Sequence, residues 1–270
     1  MVSANSALSG HGEIAYGNAI GSIICNTALI AAITVAVHPG TVDRKSLKMP
    51  VGFFFLSAAI YCLNAYITGY FGRPLGAVLL VICAAYLIMT VREGFRNPEA
   101  VSVEEADGTQ RSLPMSLVLL VVGAALIAVG ADLLVDNGTL IAAALGVPES
   151  VIALTFVALG TSLPELVTAI TSLAKGHGAL SLGNVIGANI FNLVMVSGVS
   201  TVLAPFTIPN SSTIAGMNAS LVLEIPVMLT VMALLTLPAL ASGKLKRWQG
   251  ILLLCIYAVF ISLQFGMSAL

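Results

Sequence analysis

Charge is what this 270-residue chain has least of: Asp, Glu, Lys and Arg together make up 9% of it, against roughly a quarter of an ordinary soluble domain. With 58% hydrophobic residues and a mean hydropathy of +1.03, it has too few polar side chains to cover a water-facing surface. It reads as an all-α integral membrane protein whose solvent is a lipid bilayer. An excess of either sign is missing too, with 11 basic residues against 12 acidic, which argues against a polybasic partner of nucleic acid or of a lipid surface. The four cysteines, Cys25, Cys62, Cys83 and Cys255, sit in apolar runs without CxxC spacing. Neither a zinc framework nor a disulfide set is suggested, and small packing residues remain. No basic n-region precedes the first apolar run, so the helices themselves direct insertion.

What the chain does have is long apolar runs. A spanning helix takes about 20 residues, and eight stretches qualify, near 15–37, 50–70, 74–92, 114–135, 147–173, 180–204, 217–240 and 248–268, with residues 1–9 reading as the tail of one more. Polar connections separate them, DNGTL at 136–140 among them, and the longest, about 93–113, divides the chain into 1–112 and 113–270. Alternating the loops across a membrane puts Arg44, Lys45, Lys48, Arg92, Arg96, Arg111, Lys175, Lys244, Lys246 and Arg247 on one side and Arg73 alone on the other. Basic loops face the cytoplasm, so that side is expected to be cytoplasmic and the C-terminus outside.

The chain also repeats itself. SALSGHGEIAYGNAIGSIICN (6–26) aligns with SLAKGHGALSLGNVIGANIFN (172–192) at an offset of 166 residues, and ten of the 21 positions are identical, mostly Gly, His, Asn and Ser. On the charge-based arrangement the turn at His11 faces outward and the turn at His177 inward, so the copies are expected to be inverted. Inverted repeats with polar, Gly-interrupted helices build midplane sites that open to either side.

The second copy carries the chemistry. Thr161, Ser162, Pro164 and Glu165 fall deep in an apolar span, where Pro164 removes a backbone donor and leaves main-chain oxygens between Ala158 and Thr161 to face a ligand. Helical spacing gathers Thr161, Ser162 and Glu165 on one face, and GNVIGANIFN adds Asn184, Asn189 and Asn192. Gly183 and Gly187 allow another helix to approach closely. One carboxylate among hydroxyls, amides and carbonyls suits hard cations such as Na⁺ and Ca²⁺. An acid at that depth costs roughly 2.5–3.5 kcal/mol on insertion scales.

GTSLPEL (160–166) followed by GNVIGANIFN (183–192) resembles the alpha-repeat signature of the cation/Ca²⁺ exchanger superfamily, most closely the prokaryotic sodium/calcium antiporters. The resemblance implies ten transmembrane helices in two inverted halves of five, with ion sites built by the second and third helices of each half. It implies a prokaryotic cytoplasmic (inner) membrane, no resident cofactor, and Ca²⁺ exchanged for Na⁺, or for H⁺ in some branches. By position Glu165 would be the shared Ca²⁺/Na⁺ carboxylate, Ala158 and Thr161 would offer carbonyls and Ser162 a hydroxyl, with Asn192, Ser22 and Asn26 completing the site. The pattern departs at Ala188, where the first copy has Ser22; at Ile23, where the family usually has Asn; and at Asn192, where some exchangers carry an acid. First-copy partners of Gly160–Glu165 would fall at positions −6 to −1, so a further element carrying a second acid is expected upstream of Met1; a non-transporting truncated form is the alternative. An intramembrane hydrolase using Ser162 or Thr161 lacks a base, since no His lies inside a span.

Other polar residues read as structural. Glu224, two residues before Pro226, is expected at the membrane interface. Asp132, Asp136 and Glu149 are expected to flank an outer loop, and His11 and His177 to sit in turns. Glu104, Glu105 and Asp107 read as solvated loop without EF-hand spacing, and Phe53–Phe55 as lipid-facing bulk.

Overall fold

The computed structural model describes residues 2–96, 113–174, 181–210 and 212–268. His177, Glu104, Glu105 and Asp107, with Arg111 and Lys175, lie outside them. The chain is a helical membrane protein. Its helices are α1 (Val2–Leu8), α2 (Gly12–Val37), α3 (Arg44–Thr68), α4 (Arg73–Arg96), α5 (Leu113–Ala144), α6 (Glu149–Thr161), α7 (Leu163–Ala174), α8 (Leu182–Leu203), α9 (Ser220–Ser242) and α10 (Arg247–Ser268). Seven are long and apolar enough to cross a membrane alone, and α6 with α7, bent by 49° at their junction, make an eighth span.

Local chemistry explains most boundaries. Asp43 caps α3 by accepting from the Lys45 and Ser46 amides at 3.0 and 3.2 Å, and Gly69 closes it at φ +61°, a left-handed turn that glycine enters at low cost. The largest departure from expectation is α5, which continues through DNGTL to Ala144. The Asn137 amide donates to the Leu133 carbonyl at 2.7 Å, and Gly138 lets the helix lie against Phe156, whose ring would be 2.6 Å from a Cβ there. The polar run is thus absorbed by its own helix, with Asp132 and Asp136 exposed on the surface of α5.

The core wraps α2, which is buried along most of its length, with Phe54, Tyr61, Phe71 and Met232 packed in the same cluster as its Tyr16. Phe54 is wholly buried, so only part of the Phe53–Phe55 run faces outward. By contrast, α5 lies at the periphery with its apolar surface uncovered.

Short strands tie the loops. β1 (Gly40–Thr41) pairs antiparallel with β6 (Lys244–Leu245), β2 (Tyr70–Phe71) with β3 (Phe206–Thr207), and β4 (Thr213–Ile214) with β5 (Met217–Asn218). At one end the Val42 amide donates to the Gly243 carbonyl at 3.0 Å and Arg247 to Val37 at 3.3 Å, so the basic loops 38–48 and 243–247 share a face. At the other, Arg73 donates to the Val202 carbonyl at 3.2 Å, Gly12 lies against Phe206, and His11 meets Glu149 at 2.9 Å. Loops sorted together by charge therefore touch one another.

Among the described residues four wider, π-helical turns interrupt the spans: Asn26–Ala31 in α2, Ala153–Val157 in α6, Asn192–Val196 in α8 and Ser220–Glu224 in α9. Such turns are rare and gather at functional sites. Those in α2 and α8 begin on Asn26 and Asn192, which the repeat aligns.

Candidate cation site

The site is organised by the crossing of α2 and α6. A Cβ on Gly17 would stand 2.7 Å from that of Ala153, and one on Gly21 2.5 Å from the Leu154 carbonyl oxygen, so only glycine permits this approach. It brings Asn18 and Ser22 onto the end of α6. Thr161 Oγ1 donates to Asn18 Oδ1 at 2.8 Å and lies 3.1 Å from Ser22 Oγ. The Ala158 carbonyl accepts from Thr161 Oγ1 at 3.2 Å, from the Ser162 amide at 3.1 Å and, at the outer limit, from Ser22 Oγ at 3.5 Å. Asn18 is held in turn by donating to Ser3 of α1 at 2.7 Å.

The helix breaks at Ser162, whose φ of −96° and ψ of 4° leave the helical region, and resumes with Pro164 in the first turn of α7, where the missing N–H costs nothing. The break leaves polar atoms without protein partners. Ser162 is 1% exposed and its Oγ makes no hydrogen bond; Glu165 is half-buried, with a buried Oε2 that makes none. Cys25 of α2 lies beside both residues. Asn26, the next residue, donates from Nδ2 to Asn189 Oδ1 at 3.1 Å and leaves its own Oδ1 buried and unpartnered. The Asn26–Ala31 turn packs on α7, so three oxygen atoms lacking donors lie on adjoining segments. Buried oxygen without a donor is costly, and a desolvated hard cation is the species such atoms satisfy. Among the described residues no three His, Cys, Asp or Glu side chains cluster as a metal site, so ligation by α2, α6 and α7 falls to one carboxylate with hydroxyl, amide and main-chain oxygen.

Asn192 is half-buried at the start of the α8 turn that packs on α2, and the α8 side chain bonded to Asn26 is that of Asn189, which also donates to Thr27 Oγ1 at 2.8 Å and to Met232 Sδ at 3.2 Å. Asn18 and Thr27 of this seam escaped the sequence-based set, and Asn189, noted there beside Asn192, was given no ligand role. Asn18 had a signal, its identity with Asn184. Asn189 had one in its alignment with Ile23, the position where the family usually carries Asn. Thr27 had none.

Comparison with known proteins decides the family. Residues 1–92 and 115–266 match the model described as "Sodium/calcium exchanger protein". The chain belongs to this family, whose members are transporters. The exchanger is 35% identical over 256 residues to an uncharacterized membrane protein of Methanocaldococcus jannaschii, covering 94% of this chain and 78% of that one. It is 30% identical over 146 residues to the sodium/calcium exchanger MaX1 of Methanosarcina acetivorans, covering 54% and 39% of the two chains. Among solved structures it superposes on the sodium-calcium exchanger NCX_Mj, soaked with Na⁺ and Sr²⁺, with a TM-score of 0.73 and 32% identity over 97% of this chain and 80% of the other. The fold is thus that of a sodium/calcium-exchanger-type antiporter.

Proposed function

We propose that the exchanger moves Ca²⁺ against Na⁺ by alternating access at a midplane site centred on Glu165. The observation that carries the reading is the unpartnered Glu165 Oε2, beside the equally unpartnered Ser162 Oγ and Asn26 Oδ1, inside a helical membrane protein. Glu165 binds either cation directly. The Ala158 carbonyl and the Thr161 and Ser22 hydroxyls, already converged on one point, supply neutral oxygen, and Asn26 and Asn192 adjust from the wider turns they begin. Each oxygen held by a hydrogen bond within the seam must turn from that bond to the ion, which suits a site that binds and releases rather than stores.

The two parts, 1–112 and 113–270, act as inverted halves, and movement of peripheral α5 against the α2–α6 crossing alternately opens the site to each side. The basic loops face the cytoplasm of a prokaryotic cell and the C-terminus faces outward. H⁺ as the driving ion is favoured by one observation: Asn192 is neutral where some exchangers carry an acid, leaving Glu165 to face a divalent ion. Both readings are tested by uptake of labelled Ca²⁺ into proteoliposomes under an outward Na⁺ gradient or, separately, a proton gradient. Uptake driven by Na⁺ is expected. Uptake driven by the proton gradient alone supports the second reading, and uptake under neither removes both.

A further inference from the structure

Glu224 is an acid inside a membrane span, apart from Glu165. Its place near the outer end of the span predicted an interfacial position, and there it is 2% exposed, covered by neighbouring helices. It ends the wider turn Ser220–Glu224 of α9, about one turn inside the face where α2 and α9 begin. Gln264 of α10 donates to its Oε1 at 3.2 Å, while its Oε2 is buried and makes no hydrogen bond. Tyr16 of α2 and Ser220 lie beside the carboxyl. The Tyr16 hydroxyl is buried and likewise makes no hydrogen bond, whereas Ser220 donates to the Pro209 carbonyl at 3.3 Å. Two residues beyond Glu224, Pro226 offers no N–H to the Leu221 carbonyl across the wider turn, and the Tyr66 hydroxyl fills that role at 2.6 Å. This is a built polar pocket, not a frayed helix end.

Its charge is not balanced. The other titratable groups facing the carboxyl are Glu13 of α2 and the phenols of Tyr16 and Tyr61, and among the described residues no Lys, Arg or His forms an ion pair with it. Tyr16 is two residues from Asn18 and so points to the opposite side of α2, which separates this pocket from the Glu165 seam.

We infer that Glu224 forms a second cation site, distinct from the Glu165 seam, that takes one univalent cation, Na⁺ or a proton, between its Oε2 and the Tyr16 hydroxyl. With one carboxylate oxygen engaged by Gln264, the pocket lacks the converged carbonyl, hydroxyl and amide oxygens that surround Glu165 and offers far fewer than the roughly six to eight oxygens a Ca²⁺ takes, whereas one univalent cation balances its charge. Occupancy neutralises the carboxylate where α2, α9 and α10 meet and so firms their packing.

The test uses the full chain in lipid nanodiscs carrying Glu165→Gln, with infrared difference spectra of the carboxyl groups. Na⁺ replaces N-methylglucamine at constant pH, and the pH is then stepped without Na⁺. The expected result is a carboxyl change that survives Glu165→Gln, disappears when Glu224→Gln is added, and needs about tenfold more cation in Tyr16→Phe. A response to Na⁺ at constant pH identifies Na⁺ as the occupant, and a response to pH alone identifies the proton. The inference is overturned if Glu165→Gln shows no change, or if adding Glu224→Gln leaves the change intact. Should the double variant fail to fold, Tyr16→Phe in the Glu165→Gln background decides, an unshifted affinity overturning the inference. Either outcome leaves the Glu165 reading untouched, because the spectra do not depend on transport.

Discussion

GNAIGSIICN at 17–26 and GNVIGANIFN at 183–192 are near copies with different surroundings. In α2 the two glycines are filled: Gly17 and Gly21 lie against the backbone of α6, and Asn18 and Ser22 hydrogen-bond across the seam. In α8 the same seat is open. A Cβ on Gly183 would meet no atom within 4 Å, one on Gly187 only the Tyr86 hydroxyl at 3.7 Å, and Asn184 is exposed. The repeated sequence therefore encodes a seat for a helix, and burial comes from the occupant. The opposite side of α8 is occupied, since Val185, Ile186 and Ile190 are buried in the core, so it is the seat alone that differs.

The comparison breaks most visibly at the glycines. Gly21→Leu drives a side chain into the Leu154 backbone, which cannot move aside, and overpacking of this kind costs about 3 kcal/mol or prevents folding. Gly187→Leu is expected to stay within about 1 kcal/mol, because the space is open. Thermal unfolding in detergent separates the two, and equal losses would mean that α8 is seated after all.

The asparagines give a smaller contrast. Asn26→Ala removes the bond to Asn189 and strands its partner, at about 1–2 kcal/mol. Asn192→Ala, with no such bond to lose, is expected within about 0.5 kcal/mol while still lowering Ca²⁺ flux, so stability and transport measured on both variants part the structural role from the ligand role. Ser22→Ala converts the first copy to the second copy's Ala188. Its bonds at 3.1–3.5 Å are long, so unfolding should shift by less than about 1 kcal/mol, with the clearer effect on cation affinity. Smallest of all is His11→Ala, which removes a half-exposed hydrogen bond with Glu149 worth about 0.2–1 kcal/mol; its double-mutant cycle with Glu149→Gln should return a coupling in that range.

These contrasts mirror what could be read before the structure. The spans were legible because mean hydropathy over 20 residues is insensitive to any one neighbour, and the break between α6 and α7 because Pro164 marks it locally. Glu165 stood out through the cost of placing a charge in an apolar run. DNGTL misled because Asp136, Asn137 and Gly138 ordinarily end helices, whereas here Asn137 bonds back to the Leu133 carbonyl and Gly138 packs on Phe156 as α5 continues. Glu224 was placed near the outer end of a span by its position, but its burial is produced by α2 and α10, distant in sequence. The Asn26–Asn189 bond joins residues 163 apart, and no local pattern announces such a pairing. Periodicity and depth are local properties of a membrane sequence, whereas partners across a seam are not.

The central claim is that Glu165 holds the transported cation. The most direct measurement is Ca²⁺ binding by calorimetry to the purified full chain in nanodiscs, with and without Glu165→Gln and in the presence of competing Na⁺. Binding that Na⁺ displaces in the wild type, and that falls at least a hundredfold in Glu165→Gln while the protein stays folded, is the predicted result. Undiminished, Na⁺-sensitive Ca²⁺ binding by the Gln variant would contradict it.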